Sequence, residues 1–363
     1  MKKILFFSLF IALAVIFVGC NQEEGGQGAD TTQNEQPALP MAQTNENNPT
    51  GQEPLKVVAT IFPQYDFVRQ IAGDIVELTM LISPGAESHG FEPTPRDMVA
   101  LNNADLLIYT GGHGDDWVDS FLAALERQDM RTVALVDLVG HVHSHDHSHH
   151  HGHSHHHHHD DDECEIDHHH DHSHSHHDHH HDIDEHVWTC PRNAIQIVHA
   201  LTDVLSEMNP QNSSLFHENA ASLIRRLQDL DNAFVEVVAH GTTNTVIFGD
   251  RFPFHYFVTT YGLHSHAAFE GCSAETQASP ATIASLINIV ESQNIPVVFY
   301  IEFSNRSIAN VIAEATGARL LEFHSAHNVS HADFNAGVTY LDIMWQNVEA
   351  LREALAGGSC CTP

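Results

Sequence analysis

Twice along this chain, short apolar runs alternate with segments whose apolar residues recur at helical spacing, and that alternation leaves few folds open. In the first half LKVVATIF (55–62), IVELTMLI (75–82), DLLIYTGG (105–112) and TVALVDL (132–138) predict strands. Between them YDFVRQIAG closes on Gly73, PRDMVALNNA carries Pro95 in its first turn, and DDWVDSFLAALERQ offers Asp116 as an N-cap; all three predict helices. In the second half TVIFG (245–249), VVFYIEF (297–303) and RLLEF (319–323) predict strands. They are separated by predicted helices FHYFVTTYG, SPATIASLINIVESQ and SIANVIAEATG, and a last helix runs from Phe334 to Leu355. Pro191 to Met208 and Pro210 to His240 predict the connecting helices; thirty residues of the second would span about 45 Å. The expected fold is therefore α/β: two α/β lobes with mainly parallel sheets, joined by a long backbone helix, with a ligand cleft between the lobes.

Residues 141–182 interrupt this pattern. Of the 35 histidines in the chain, 24 lie between His141 and His186, mixed with Asp and Ser and almost without apolar residues. Such a run buries no core, so it reads as a loop inserted into the first lobe. Its imidazoles and carboxylates suit many weak, exchanging metal sites, with His143, His145, His147, His149, His155, His157, His169, His172, His176 and His180 as auxiliary donors. The formal charge of −34 counts histidine as neutral, so mild acid would change it greatly. An excess of 48 acidic over 14 basic residues also argues against a nucleic-acid partner.

The N-terminus reads as a leader. Two lysines precede an apolar run from Ile4 to Val18, short for a membrane span, and Gly19-Cys20 follows. Residues 1–19 are expected to be a lipoprotein signal peptide with Cys20 lipidated, anchoring the protein to the bacterial cell membrane on its outer side. Residues 20–54, rich in Gln, Asn, Gly and Thr, read as a tether. The expected divisions are then 55–190 for the N-terminal lobe, 191–241 for the connecting helices, 242–356 for the C-terminal lobe and 357–363 for a frayed tail.

Outside the run, three histidines fall where strands end: His89 after IVELTMLI, His186 after the run, and His324 after RLLEF. Together they point to a metal site, and imidazole suits zinc. Cys164 could join the run's sites, and Cys190 with Cys272 could form a disulfide in an oxidising compartment. No His-Glu-x-x-His is present, so a zinc hydrolase is disfavoured and no catalytic residue is assigned.

SPGAESHGFEPTPRDMVALNNADLLIYTGG, DEHVWTCPRNAIQIV and FNAGVTYLDIMWQNVEALREAL, in that order, resemble the cluster A-I solute-binding proteins of ABC transporters for zinc and manganese. The resemblance covers about residues 55–356, and a histidine-rich acidic insert at this point is a feature of the zinc branch. It implies a high-affinity zinc-binding component of an importer, working as a monomer with a membrane permease and its ATPase. His89 and His186 match the first two ligands, and His324 stands where the family usually has a carboxylate. Manganese as the cargo, or a zinc-buffering surface adhesin, are the alternatives. The family places His or Glu after the first strand of the second lobe, but here FGDRFPFHYFVTTYGL has Gly249 at that place. Asp250, His255 or water is left to supply that position, and Glu302 is expected to hold a ligand imidazole by a hydrogen bond.

Overall fold

The computed structural model describes residues 53–87, 91–125, 129–139, 184–269 and 278–356. The leader, Cys20, His89, the auxiliary histidines of the 141–182 run, Cys164, Cys272 and the tail lie outside the described residues.

Strands β1 (Leu55–Ala59), β2 (Val76–Met80), β3 (Leu106–Tyr109) and β4 (Arg131–Ala134) form one sheet in the order β2-β1-β3-β4, with every pairing parallel. Strands β5 (Thr245–Phe248), β6 (His264–Ala267), β7 (Val297–Tyr300) and β8 (Arg319–Glu322) form a second parallel sheet in the order β6-β5-β7-β8. Parallel strands are stable only with both faces covered, which is why the inner strands read as unbroken apolar runs. The first sheet carries α1 (Phe62–Ala72), α2 (Pro95–Asn103) and α3 (Asp116–Ala124). The second carries α6 (His255–Tyr261), α7 (Pro280–Gln293) and α8 (Ser307–Thr316). Between the sheets in sequence stand α4 (Pro191–Met208) and the 28-residue α5 (Ser213–His240), about 42 Å long.

The α/β expectation and the long joining helix are both met. Helix α5 packs against α1 and α4 of the first half and against α6 and the C-terminal α10 (Tyr340–Leu355) of the second. One apolar core follows it through both halves. Ile71 and Phe67 lead into Leu201, Leu227 and Phe234, and these into Phe257 and Phe323. The second half is built on rings: Phe248, Phe254, Phe299 and Phe323 lie with centroids 5.0–5.9 Å apart. Smaller apolar clusters cover the outer face of each sheet.

Local differences have local causes. Asp115, not Asp116, precedes the first residue of α3, and its carboxylate accepts the N–H groups of Thr110 and Gly111 at 2.6 and 3.1 Å. The single helix expected from Phe334 is two: α9 (His331–Ala336) ends on Gly337 at φ 74°, and α10 restarts at a Thr339–Asp342 capping box. Strand β6 was not expected, because His-Ser-His-Ala has no apolar run; as an edge strand it needs none.

Candidate metal centre

The C-terminal ends of the first sheet meet the loop after β8. Gln64 prepares the first sheet's side. Its carbonyl accepts the Thr60 and Ile61 N–H groups at 2.8 and 3.1 Å, and its amide donates to Thr110 Oγ1 at 3.0 Å. The ends of β1 and β3 are thus fixed side by side. A small cavity opens there, bordered by Ile61, Ile82, Thr110, Asp115, Glu185 and His327.

His186 stands in the turn before α4, and its side chain is almost fully buried. Asp184 Oδ1 accepts both the His186 N–H at 3.0 Å and Nδ1–H at 2.7 Å. One oxygen therefore sets the turn and the ring tautomer together, and Nε2, itself buried, becomes the nitrogen that carries the lone pair. Burial opposes a charge on Asp184, but His186, by the charge of its ring when protonated and by its hydrogen bonds, outweighs it and holds the carboxyl below its usual range. His255 contributes to the same lowering, so the start of α6 reaches this pair.

The loop after β8 places two histidines differently. His327 packs edge-on against His186 with centroids 5.6 Å apart, and against Trp188 at 5.0 Å. His324 is partly exposed, and its Nδ1 accepts the Ala326 N–H at 2.9 Å. In neutral His324 the proton is then on Nε2, a form that offers a metal no lone pair while that bond stands. Glu302 was expected to orient an imidazole. It does lie 3.4 Å from His324 Nδ1, but its oxygens mainly gather the turn: they accept Ser325 N–H at 2.8 Å, Ser325 Oγ–H, and His327 N–H at 3.3 Å. Ser325 O in turn accepts Trp188 Nε1–H at 2.8 Å, which ties the His327 turn to the His186 turn.

The positions after β5 are occupied otherwise. A Cβ on Gly249 would lie 2.4 Å from Ala309 Cα, so α8 leaves no room for any side chain there. Asp250 is buried and spends its carboxylate on backbone: Oδ1 accepts Arg251 N–H at 2.9 Å and Oδ2 accepts Ile301 N–H at 3.3 Å. It does not cap α6, whose preceding residue is Phe254. His255 begins α6 with its ring against Phe252, centroids 4.9 Å apart. Cys190 is a buried free thiol donating to Thr260 Oγ1 at 3.3 Å, and Cys272, its expected partner, lies outside the described residues.

Loop 83–87, which leads to His89, is fastened to the same turn. Asn328 Nδ2 donates to Ser83 O and Ala86 O, both at 2.9 Å, and Gly85 N–H donates to Val329 O at 2.7 Å. Gly85 sits at φ 75°, a backbone state that glycine adopts without strain. Loop 83–87 and the loop bearing His327 are therefore held together by three bonds. Among the described residues no three His, Cys, Asp or Glu side chains form a group able to hold a metal.

Residues 57–354 match the model of the family described as ZnuA, zinc-uptake complex component A, periplasmic. The zinc-binding lipoprotein AdcA of Streptococcus pneumoniae is 26% identical over 300 residues, 82% of this chain and 55% of that protein, so the chain spans about half its length. The high-affinity zinc uptake system protein ZnuA of Bacillus subtilis is 28% identical over 301 residues, covering 83% of this chain and 88% of that protein. Among solved structures, the metal-dependent lipoprotein YcdH of Bacillus subtilis superposes with a TM-score of 0.66 at 25% identity, covering 83% of this chain and 99% of that one. The Zn(II)-bound ZnuA-like domain of Streptococcus pneumoniae AdcA superposes with a TM-score of 0.65 at 24% identity, covering 84% of this chain and all of that one.

Proposed function

The chain belongs to the periplasmic zinc-uptake component A family, and on that premise we propose that it captures Zn2+ between its two lobes and delivers it to the permease of an ABC importer. His89, His186 and His327 are the proposed ligands, with water or His255 completing the shell. One observation carries the reading: a buried imidazole oriented by a carboxylate faces a second imidazole 5.6 Å away across the two halves. Zinc accepts imidazole nitrogen at about 2.0–2.1 Å, and a carboxylate behind a ligand histidine is the usual supporting arrangement. His327 replaces His324 in this set, because the His324 lone pair is already used by Ala326. Asp250 is left out for the same reason, and Glu302 shapes the turn that presents His327.

The lipid anchor at Cys20 keeps the protein outside the cell membrane, where the permease and its ATPase take the metal onward. The histidine-rich run holds further zinc weakly. An imidazole-rich set favours zinc over manganese, which prefers carboxylate and water. Competition against a chromophoric chelator, on a chain lacking residues 141–182, tests the assignment. His186→Ala and His327→Ala should each abolish the tight site, His324→Ala should weaken it much less, and manganese should not displace zinc at equal free concentration. Tight binding that survives the loss of His327 and fails without His324 would reverse the choice of ligand.

A further inference from the structure

Among the described residues, strand β6 is the edge of the second sheet and pairs with β5 alone. It reads His264-Ser265-His266-Ala267. Side chains alternate along a strand, so His264 and His266 stand on one face, about 6.6 Å apart along the backbone. The register defines that face: His264 lies beside Thr245 and His266 beside Ile247. Ile247 belongs to the outer apolar layer with Ala268, Leu286 and Val290, not to the core that follows α5. His264 also begins its strand, so the pair is at the opposite end of the sheet from the loop that carries His327.

His264 is exposed and His266 is half-buried. Burial first, and then the neighbouring His264, hold the His266 ring below the ordinary imidazole range, so at neutral pH it keeps its lone pair. Tetrahedral zinc with Zn–N bonds of about 2.0–2.1 Å needs its two nitrogens about 3.3 Å apart, and rings two positions apart on one strand face can lean together to meet it. We propose that His264 and His266 form a second zinc site, outside the cleft, in which two imidazoles hold the ion and water completes its shell. With two protein donors it is weaker than the cleft and exchanges with solvent, so it takes up zinc only when the ion is plentiful.

Histidine acylation by diethylpyrocarbonate on the full chain at neutral pH tests this, read by mass spectrometry on the peptide containing both residues. Zinc chloride should slow modification of His264 and His266 several-fold relative to chelator. His264→Ala, at an exposed position, should abolish that protection at His266 and leave the tight cleft affinity unchanged. Modification rates indifferent to zinc, or His266 equally protected in His264→Ala, would overturn the proposal. The local readout excludes zinc held by the histidine-rich run, and the result stands whether or not the cleft assignment holds.

Discussion

Asp184→Ala isolates what orients the proposed ligand His186. In the folded protein a single carboxylate oxygen accepts two hydrogen bonds from His186, one from its backbone N–H at 3.0 Å and one from its ring at 2.7 Å. Alanine removes both bonds. The ring can then turn and take the other tautomer, and the charge that favours a bound cation is gone. Losing a partner of this kind typically weakens metal binding about 10–100-fold, or about 1.4–2.8 kcal/mol at 1.4 kcal/mol per tenfold. Asp184→Asn keeps an oxygen at the same place and should recover part of the loss; the remainder measures the charge. Zinc affinity is read by chelator competition on a chain lacking residues 141–182, with thermal unfolding of the zinc-free protein as the control for folding. Two results would refute the reasoning. Unchanged affinity in Asp184→Ala would mean that the ring is held by packing against Trp188 and His327. A loss as complete as that of His186→Ala would make Asp184 a ligand itself.

Asn328→Ala removes two of the three bonds that fasten the His327 turn to loop 83–87, and should accelerate zinc release in stopped-flow trapping while costing about 1–3 kcal/mol of stability. Burial, with a contribution from Glu185 and against the hydrogen bonds from Gly111 and Thr110, pushes the Asp115 carboxyl up to about 6. The folded state then binds this proton more tightly than the unfolded one, so the zinc-free protein should gain stability from Asp115 as pH falls from about 6 toward 4, by up to about 3 kcal/mol; Asp115→Asn should flatten that part of the urea-denaturation profile. Gly249→Ala drives a Cβ to 2.4 Å from Ala309 Cα and should lower stability by about 1–3 kcal/mol through overpacking, seen as an earlier urea midpoint. Deleting residues 141–182 should leave the tight zinc equivalent and the proposed β6 site and remove the run's own weak equivalents, which in the full chain should be lost first below about pH 6.5 as protons occupy exposed imidazoles; unchanged stoichiometry after deletion would count the run as solvated charge only.

The fold was largely legible because it rests on patterns that short windows carry. Apolar strands, Gly73 at the end of α1, Pro95 at the start of α2 and the long amphipathic α5 each have a local cause. What escaped depended on long-range packing or on a single bond. Strand β6 takes its identity from hydrogen bonds to β5, not from its own residues. The break between α9 and α10 was written in Gly337 and the Thr339–Asp342 capping box, a signal that could have been read. Asp184, two residues before His186, was also in plain view, but only its 2.7 Å contact distinguishes it from the acidic residues of the run beside it.

The proposed choice of His327 over His324 was beyond the sequence, because both follow β8 and differ in what surrounds them. Gly249 explains why the choice matters. Helix α8 packs so closely on the end of β5 that no side chain can rise there, and Asp250 is turned back onto the chain by Arg251 and Ile301. The second half must therefore present its donors from elsewhere, and the loop after β8 is the segment that Glu302 organises for it. Glu302 gathers Ser325 and His327 from within the second half. Trp188 and loop 83–87 grip the same loop from the first half. His327 is thus fixed to both sheets at once. Separating the halves to release a bound ion would have to break the bonds of Asn328, Gly85 and Trp188 together, at about 0.5–1.5 kcal/mol net for each. In the proposed capture, a partner that separated the halves would release the His327 turn by the same movement.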